Sequence, residues 1–296
     1  MIYQRPLAYL LGLEGTALLR AFGGDYDRDF EEARITEIRR LLDSPPLDTE
    51  GVLATRVDTV DGYRAWSATY DQPGNGLFVH EQPIVHEILD SLPTGVALDA
   101  ACGTGRYTEY LAAQGHRVIG VDSSPDMLAR ACTRVPQAEF HQGDLHEVPL
   151  PDDHVDIVVC ALALTHVPDL KPVFAEFARV LRPGGHLVIS DVHQELVSLG
   201  SVPRMRSAAG EPGFLPAYRH RASDYLNAAL PLGLQARRCD EPRMRIDDNN
   251  AGMADDIAVG PWDGWPWSLH GLVPAAHRAA YNGTPATIIW HFQINL

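Results

Sequence analysis

Apolar positions change rhythm along the chain. Up to about residue 60, Leu7, Leu11, Leu18 and Phe22 recur at helical spacing, and Phe30, Ile38, Leu41 and Leu42 make a second stripe that stops at Ser44-Pro45-Pro46. The pattern predicts a helical N-terminal extension over 1–60. It reads either as a lid or dimerisation arm, giving a homodimer through these helices, or as plain packing against the remaining chain.

From residue 81 the rhythm alternates between helical stripes and short apolar runs. Ile84, Val85, Ile88, Leu89 and Leu92 predict a helix, Val96 to Leu98 a strand, and Tyr107 to Gln114 a helix. Val118 to Val121 follows as a strand, then a helix with Ser124 as N-cap and Pro125 in its first turn. Further strands are expected at Ala138 to His141, Val155 to Cys160 and His186 to Ser190. Strands apolar throughout and separated by helices belong to a parallel sheet covered on both faces, a doubly wound α/β fold. Leu234 to Cys239 and Thr287 to Ile294 read as two late strands, able to form an antiparallel hairpin at one side of a mostly parallel sheet of about seven strands. Between them runs a long stretch with Trp262, Trp265 and Trp267, and loops of that length inside a domain are commonly functional.

Composition narrows the partners. Across 296 residues, 24 Lys and Arg face 39 Asp and Glu, a net charge of −15 that provides no broad cationic face, so a nucleic-acid substrate is not expected. Cys102, Cys132, Cys160 and Cys239 are scattered without a Cys-x-x-Cys pair, which fits a reducing, cytoplasmic setting. No apolar run approaches the roughly 18 residues of a membrane span. Arg5 followed by Leu7 to Leu13 imitates a short signal peptide, but Glu14 interrupts it.

The strongest chemical signal is Leu98-Asp99-Ala100-Ala101-Cys102-Gly103-Thr104-Gly105, lying between a strand and a helix. Gly103 and Gly105 allow a tight turn and a close backbone approach to a nucleotide-like ligand at the C-terminal edge of the sheet. The dinucleotide fingerprint is half present, since Thr108 stands where its third glycine belongs. Asp99 weighs against a pyrophosphate, because two like charges about 4 Å apart at an effective dielectric near 20 repel by several kcal/mol. A ligand with an ammonium and a sulfonium is favoured in its place.

Together with these residues, the ordered segments from about Gly62 to Leu296 resemble the class I S-adenosylmethionine-dependent methyltransferases of small-molecule type. The resemblance implies a Rossmann-like sheet and S-adenosyl-L-methionine as cofactor, with S-adenosyl-L-homocysteine as product. It places Asp99, Ala101, Gly103 and Gly105 around the methionine part, with Arg106 toward its carboxylate. Asp122, ending Val118-Ile119-Gly120-Val121-Asp122, accepts from the two ribose hydroxyls, with Ser123 and Met127 bordering the adenine. In Gly143-Asp144-Leu145, Asp144 accepts from the adenine amino group and the Leu145 N–H faces a ring nitrogen. Ala161, inside Val158 to Val167, completes the order, and Tyr63, Trp66 and Tyr70 match the segment that closes over the cofactor in many relatives.

Methyl transfer is an in-line displacement from an activated carbon, so positioning suffices unless the acceptor must lose a proton. His166, after the fourth strand, is the best-placed base, with His193 and Glu195 as alternatives. No Asn/Asp-Pro-Pro-Tyr pattern stands at Cys160 to Leu164, and Asp247-Asp248-Asn249 reads as a turn, so neither a DNA base nor a metal-dependent catechol reaction is expected. No metal is predicted. Segments 193–225 and 243–285 remain as substrate-facing insertions in the domain spanning 61–296, and Trp262, Trp265, Trp267 and Leu269 supply either a pocket wall or core packing. The expected reaction is methyl transfer to O, N or C of a small, partly apolar metabolite. A cyclase or pericyclase binding the same cofactor without methyl transfer is the alternative.

Overall fold

The computed structural model describes residues 1–66, 70, 76–207, 209–246 and 258–296; the run Asp247-Asp248-Asn249 lies outside the described residues. In chain order the elements are β1 (Ile2–Gln4), α1 (Pro6–Phe22), α2 (Arg28–Leu42), β2 (Val52–Arg56), α3 (Thr59–Trp66), α4 (Phe78–Asp90) and β3 (Val96–Ala100). They continue as α5 (Arg106–Ala113), β4 (Arg117–Asp122), α6 (Pro125–Arg134), β5 (Glu139–Gln142), β6 (Val155–Ala161), α7 (Leu170–Val180) and β7 (Leu181–Val192). The last are α8 (Gln194–Ser198), β8 (Arg204–Arg206), β9 (Pro212–Phe214), α9 (Ala222–Ala229), β10 (Leu234–Asp240), α10 (Trp267–His270), α11 (Pro274–Tyr281) and β11 (Thr287–Ile294). They divide into two compact units.

The larger unit comprises Asp58–Gln194, Pro216–Pro242 and Pro285–Leu296. Its seven-stranded sheet has the order β10-β11-β7-β6-β3-β4-β5. β3 to β7 run parallel, while β11 is antiparallel to both β7 and β10. This is the mostly parallel, Rossmann-like sheet with its late antiparallel hairpin. Period-two alternation separates its two cores. Leu98, Ile119, Val158, Leu187 and Ile189 face Phe174, Phe177 and Tyr225 on one side, whereas Ala97, Val118, Ile157, Val159 and Val188 face Val85, Ile88 and Leu111 on the other. Leaving β3, the chain adds β4 and β5 on one side and then returns to place β6 on the other. The strand order therefore reverses between β3 and β6, and the crevice beyond their C-terminal ends is where open α/β sheets bind ligands.

The smaller unit draws Met1–Val57, Glu195–Leu215 and Arg243–Thr284 together. Side chains stitch these three segments. Gln4 Oε1 accepts from Arg204 Nε at 3.0 Å and from Trp262 Nε1 at 2.9 Å, and Arg204 also donates to the Trp265 carbonyl at 2.8 Å. Tyr9 Oη lies 2.8 Å from both His270 Nε2 and Tyr281 Oη. The unit contains a four-stranded sheet, β1-β2-β9-β8, so the first 60 residues hold two strands besides their helices. The buried face of α1 is Leu10, Leu13, Glu14, Ala17 and Ala21, not the Leu7–Leu11–Leu18–Phe22 stripe; Phe22 is 93% exposed. Apolar residues on nearly every side of α1 leave its period unable to choose a face. Trp262 and Trp265 are 5% and 7% exposed and fill this unit's interior, whereas Trp267 is 62% exposed. Among the described residues, no helix is long and apolar enough to cross a membrane.

Candidate functional site

A cavity in the larger unit opens at the reversal between β3 and β6. It brings together eleven residues singled out in the sequence: Tyr63, Tyr70, Ala101, Gly103, Asp122, Ser123, Met127, Asp144, Leu145, Ala161 and His166. Ala101 after β3 and Leu162 after β6 both have φ of 55°, and Gly103 has 54°. Two left-handed non-glycine residues at adjacent strand ends are costly, and such strain persists where surrounding structure demands it, often at ligand sites.

Asp122 closes β4 and is tied into the glycine loop. Its Oδ2 accepts from the Gly103 N–H and its Oδ1 from the Ser124 N–H, each at 2.8 Å. Burial raises its pKa, against the lowering effect of these backbone donors. Each oxygen retains a lone pair for a further donor. Ser124 caps α6, which presents the buried Met127 to the cavity. Asp144, after β5, accepts at Oδ1 from the His146 backbone at 2.8 Å and meets His146 Nδ1 at 2.5 Å. Burial pushes its pKa up, but the bonds and charge of His146 outweigh that and hold it low.

His166 stands in the turn after β6. Its Nδ1 is 2.7 Å from the Pro216 carbonyl and its Nε2 is 3.0 Å from Tyr63 Oη. A carbonyl only accepts, so Nδ1 carries the proton and Nε2 accepts from the Tyr63 hydroxyl. Burial lowers the imidazole's pKa, favouring this neutral form, and raises that of Tyr63. The turn itself is clamped. Buried Asp191 accepts from the Thr165 N–H at 3.0 Å and from Tyr225 Oη at 2.7 Å, and His220 Nε2 reaches the carbonyls of Leu164 and Val167 at 3.1 and 2.8 Å. Desolvation raises the Asp191 pKa to about 6.

Four expected residues are absent from the cavity wall. Asp99 is 2% exposed and accepts from Thr108 Oγ1 at 2.6 Å, a bond that braces the start of α5; burial raises its pKa to about 6. Arg106 donates from Nη2 to Glu81 Oε1 at 2.5 Å with its guanidinium 4.1 Å over Phe78 and 4.4 Å over Tyr107, while its buried Nη1 has no hydrogen-bond partner among the described residues. Glu81 also accepts from Ser190 Oγ. Gly105 has φ of 84°, and a Cβ there would come within 3.1 Å of the Ala131 Cβ, so its role is the close packing of α6. Trp66 sets its ring edge-on to Tyr63 at 5.6 Å. Of the alternative bases, His193 lies 3.3 Å from Glu241, and Glu195 begins a segment of the smaller unit. Neither lines the cavity.

Sequence reasoning missed Thr59, His146, Leu162, Val167 and Pro168 in the wall. Spacing alone offered His146, two residues beyond Asp144, and the Leu162–Pro168 positions flanking His166. Among the described residues, no group of three or more His, Cys, Asp or Glu is placed to hold a metal ion.

Residues 98–189 match the family model of a methyltransferase domain. An uncharacterized methyltransferase of Synechocystis is 36% identical over 129 residues, 43% of this chain and 59% of the relative. A demethylmenaquinone methyltransferase of Renibacterium salmoninarum is 29% identical over 209 residues, 68% of this chain and 80% of the relative. The DhpI–SAH complex superposes with a TM-score of 0.54 at 22% identity, covering 79% of this chain and 93% of that one, a likeness of fold. The chain spans between a third and three fifths of the length of several curated relatives it matches. Residues 98–189 are thus similar to a methyltransferase domain, and the sheet shares the fold of solved methyltransferase structures.

Proposed function

We propose that the chain binds S-adenosyl-L-methionine in the β3–β6 crevice and transfers its methyl group in line to a small, partly apolar metabolite. The observation that carries this is the donor and acceptor set around one cavity. Asp122 offers two acceptor oxygens suited to a ribose diol, and Asp144 offers one to an adenine amino group. Ser123, Met127 and Leu145 border the base, while Ala101, Gly103, Ala161, Tyr63 and Tyr70 border the remainder. When bound, the cofactor supplies a methyl carbon activated by a sulfonium. The protein's share is to orient that group and exclude water, and to accept a proton where the acceptor carries one.

Calorimetry with S-adenosyl-L-homocysteine tests the binding reading. Asp122→Ala should weaken binding by about 1.5–3 kcal/mol, the range for hydrogen bonds to a charged group. Unchanged affinity removes the ribose assignment. Incubation with methyl-labelled cofactor and a metabolite extract, read by mass spectrometry as the gain of one CH₂, identifies the acceptor.

A further inference from the structure

The Tyr63–His166 pair does not behave as a lone histidine base. With Nδ1 donating to Pro216, the imidazole has one basic nitrogen, and the Tyr63 hydroxyl already occupies it. Any proton that reaches His166 from a molecule in the cavity therefore passes through Tyr63. The rings of Trp66, Tyr70 and His166 surround Tyr63 edge-on, with centroids at 5.6, 6.0 and 5.7 Å. Leu162, Val167 and Pro168 add apolar surface. Among the described residues, the cavity wall carries the carboxylates of Asp122 and Asp144 but neither Lys nor Arg, so the protein itself offers an anionic acceptor no Lys or Arg partner there. Those features favour a neutral, planar acceptor that still holds its proton.

Resting on the methyltransferase reading, we propose that Tyr63 and His166 act as one proton-accepting couple on an aromatic hydroxyl, Tyr63 touching the acceptor and His166 holding the proton. As the acceptor oxygen bonds to the methyl carbon, the bond from that carbon to sulfur breaks and its electron pair stays on sulfur. The hydroxyl proton passes to Tyr63 Oη while Tyr63's own proton passes to His166 Nε2. Tyr63 thus ends neutral. The positive charge lost from sulfur appears as imidazolium, with Nδ1–H still held by Pro216, and His166 later releases the proton to water. A carboxylate acceptor would need none of this. The clamp by Asp191 and His220 holds the His166 turn in place, making both positioning residues.

The test compares wild type, Tyr63→Phe, His166→Ala and the double variant. Each is first assayed for S-adenosyl-L-homocysteine binding by calorimetry, then for label transfer to a graded panel of phenols, from catechol to 4-methylumbelliferone, with benzoate as the anionic control. Tyr63→Phe keeps the ring that borders the cofactor, so all four should still bind S-adenosyl-L-homocysteine; a single variant that loses that binding makes its residue a cofactor contact and overturns the couple. Each single variant should lose about 10²-fold or more in kcat toward phenols, and the double variant little beyond that, because two members of one couple fail together. Independently of turnover, the ¹⁵N resonances of His166 should show the Nδ1–H tautomer in the wild type, and Nε2 should shift in Tyr63→Phe. Transfer to benzoate but to no phenol overturns the proposal, as do multiplicative losses in the double variant, an unmoved Nε2 resonance, or no transfer to any phenol by a chain that binds S-adenosyl-L-homocysteine. A wild type that binds no S-adenosyl-L-homocysteine overturns the methyltransferase reading itself, a separate failure.

Discussion

The two units are specified by different kinds of information. In the larger one, neighbouring residues alternate between two apolar cores, and each strand or helix is written in its own four to thirteen residues. In the smaller one, Gln4 waits for Trp262, Tyr9 for His270 and Tyr281, and Arg20 for the carbonyls of Ala279 and Asn282, pairings separated by more than 250 positions. Local period builds the first, and distant side-chain complementarity builds the second. Their chemistry follows the same division, since loops at the ends of regular strands carry the cavity while the smaller unit spends its polar side chains on its own assembly.

The hardest test removes one large buried ring from each. Phe174 lies fully buried among Phe177, Tyr225 and Phe292, and Phe174→Ala should cost about 3–5 kcal/mol in denaturant titrations followed through Trp290 in the same core. Trp262→Ala should cost a similar amount, and it also strands Gln4 Oε1 without one of its donors. If Trp262→Ala melts like the wild type, the smaller unit is not built on that side chain and the contrast fails.

What was legible follows the same line. Strands β3, β4, β6, β7 and β11 announced themselves by their apolar runs, and Ser124 and Pro125 marked the start of α6. β1 and β9 have three residues each, too short for a period to register. α11 went unread because Pro-Ala-Ala-His-Arg-Ala-Ala-Tyr carries small residues in place of a large apolar stripe. At the site, Asp122 and Asp144 were visible from their places at strand ends. The partner of Arg106 was not, since Glu81 lies 25 residues earlier in α4 and nothing local points to it. Asp99 likewise has a partner that the electrostatic argument about a ligand did not foresee: Thr108, nine residues on, donates to its carboxylate.

A second, smaller effect sharpens the comparison through pH. Glu14 is buried in α1, paired with Arg34 at 3.2 Å, and its pKa is raised to about 7 by desolvation, which outweighs the pull of Arg34. An acid whose folded-state pKa exceeds its unfolded value near 4.5 stabilises the fold most at low pH. That contribution is lost as pH rises from about 4.5 to about 7, by at most about 3 kcal/mol at 1.36 kcal/mol per unit. Denaturation midpoints across that window should fall with pH in the wild type, and Glu14→Gln should flatten the slope. An unchanged slope in the variant assigns it to other groups.

The smallest effect separates three residues the sequence treated alike. Trp262, Trp265 and Trp267 share one short stretch, yet the first two bury their rings and bond their Nε1 atoms to Gln4 and the Val259 carbonyl, while Trp267 opens α10 with 62% of its surface in water. An exposed ring that fills no space leaves no cavity when removed. Trp267→Ala should therefore change stability by less than about 0.5 kcal/mol, within the usual range for surface substitutions. Trp265→Ala, by the same reasoning, should approach the cost of a buried ring. Denaturant midpoints for the two variants measure the difference directly, and a Trp267→Ala loss comparable to that of Trp265→Ala would show that the exposed ring is held by contacts after all.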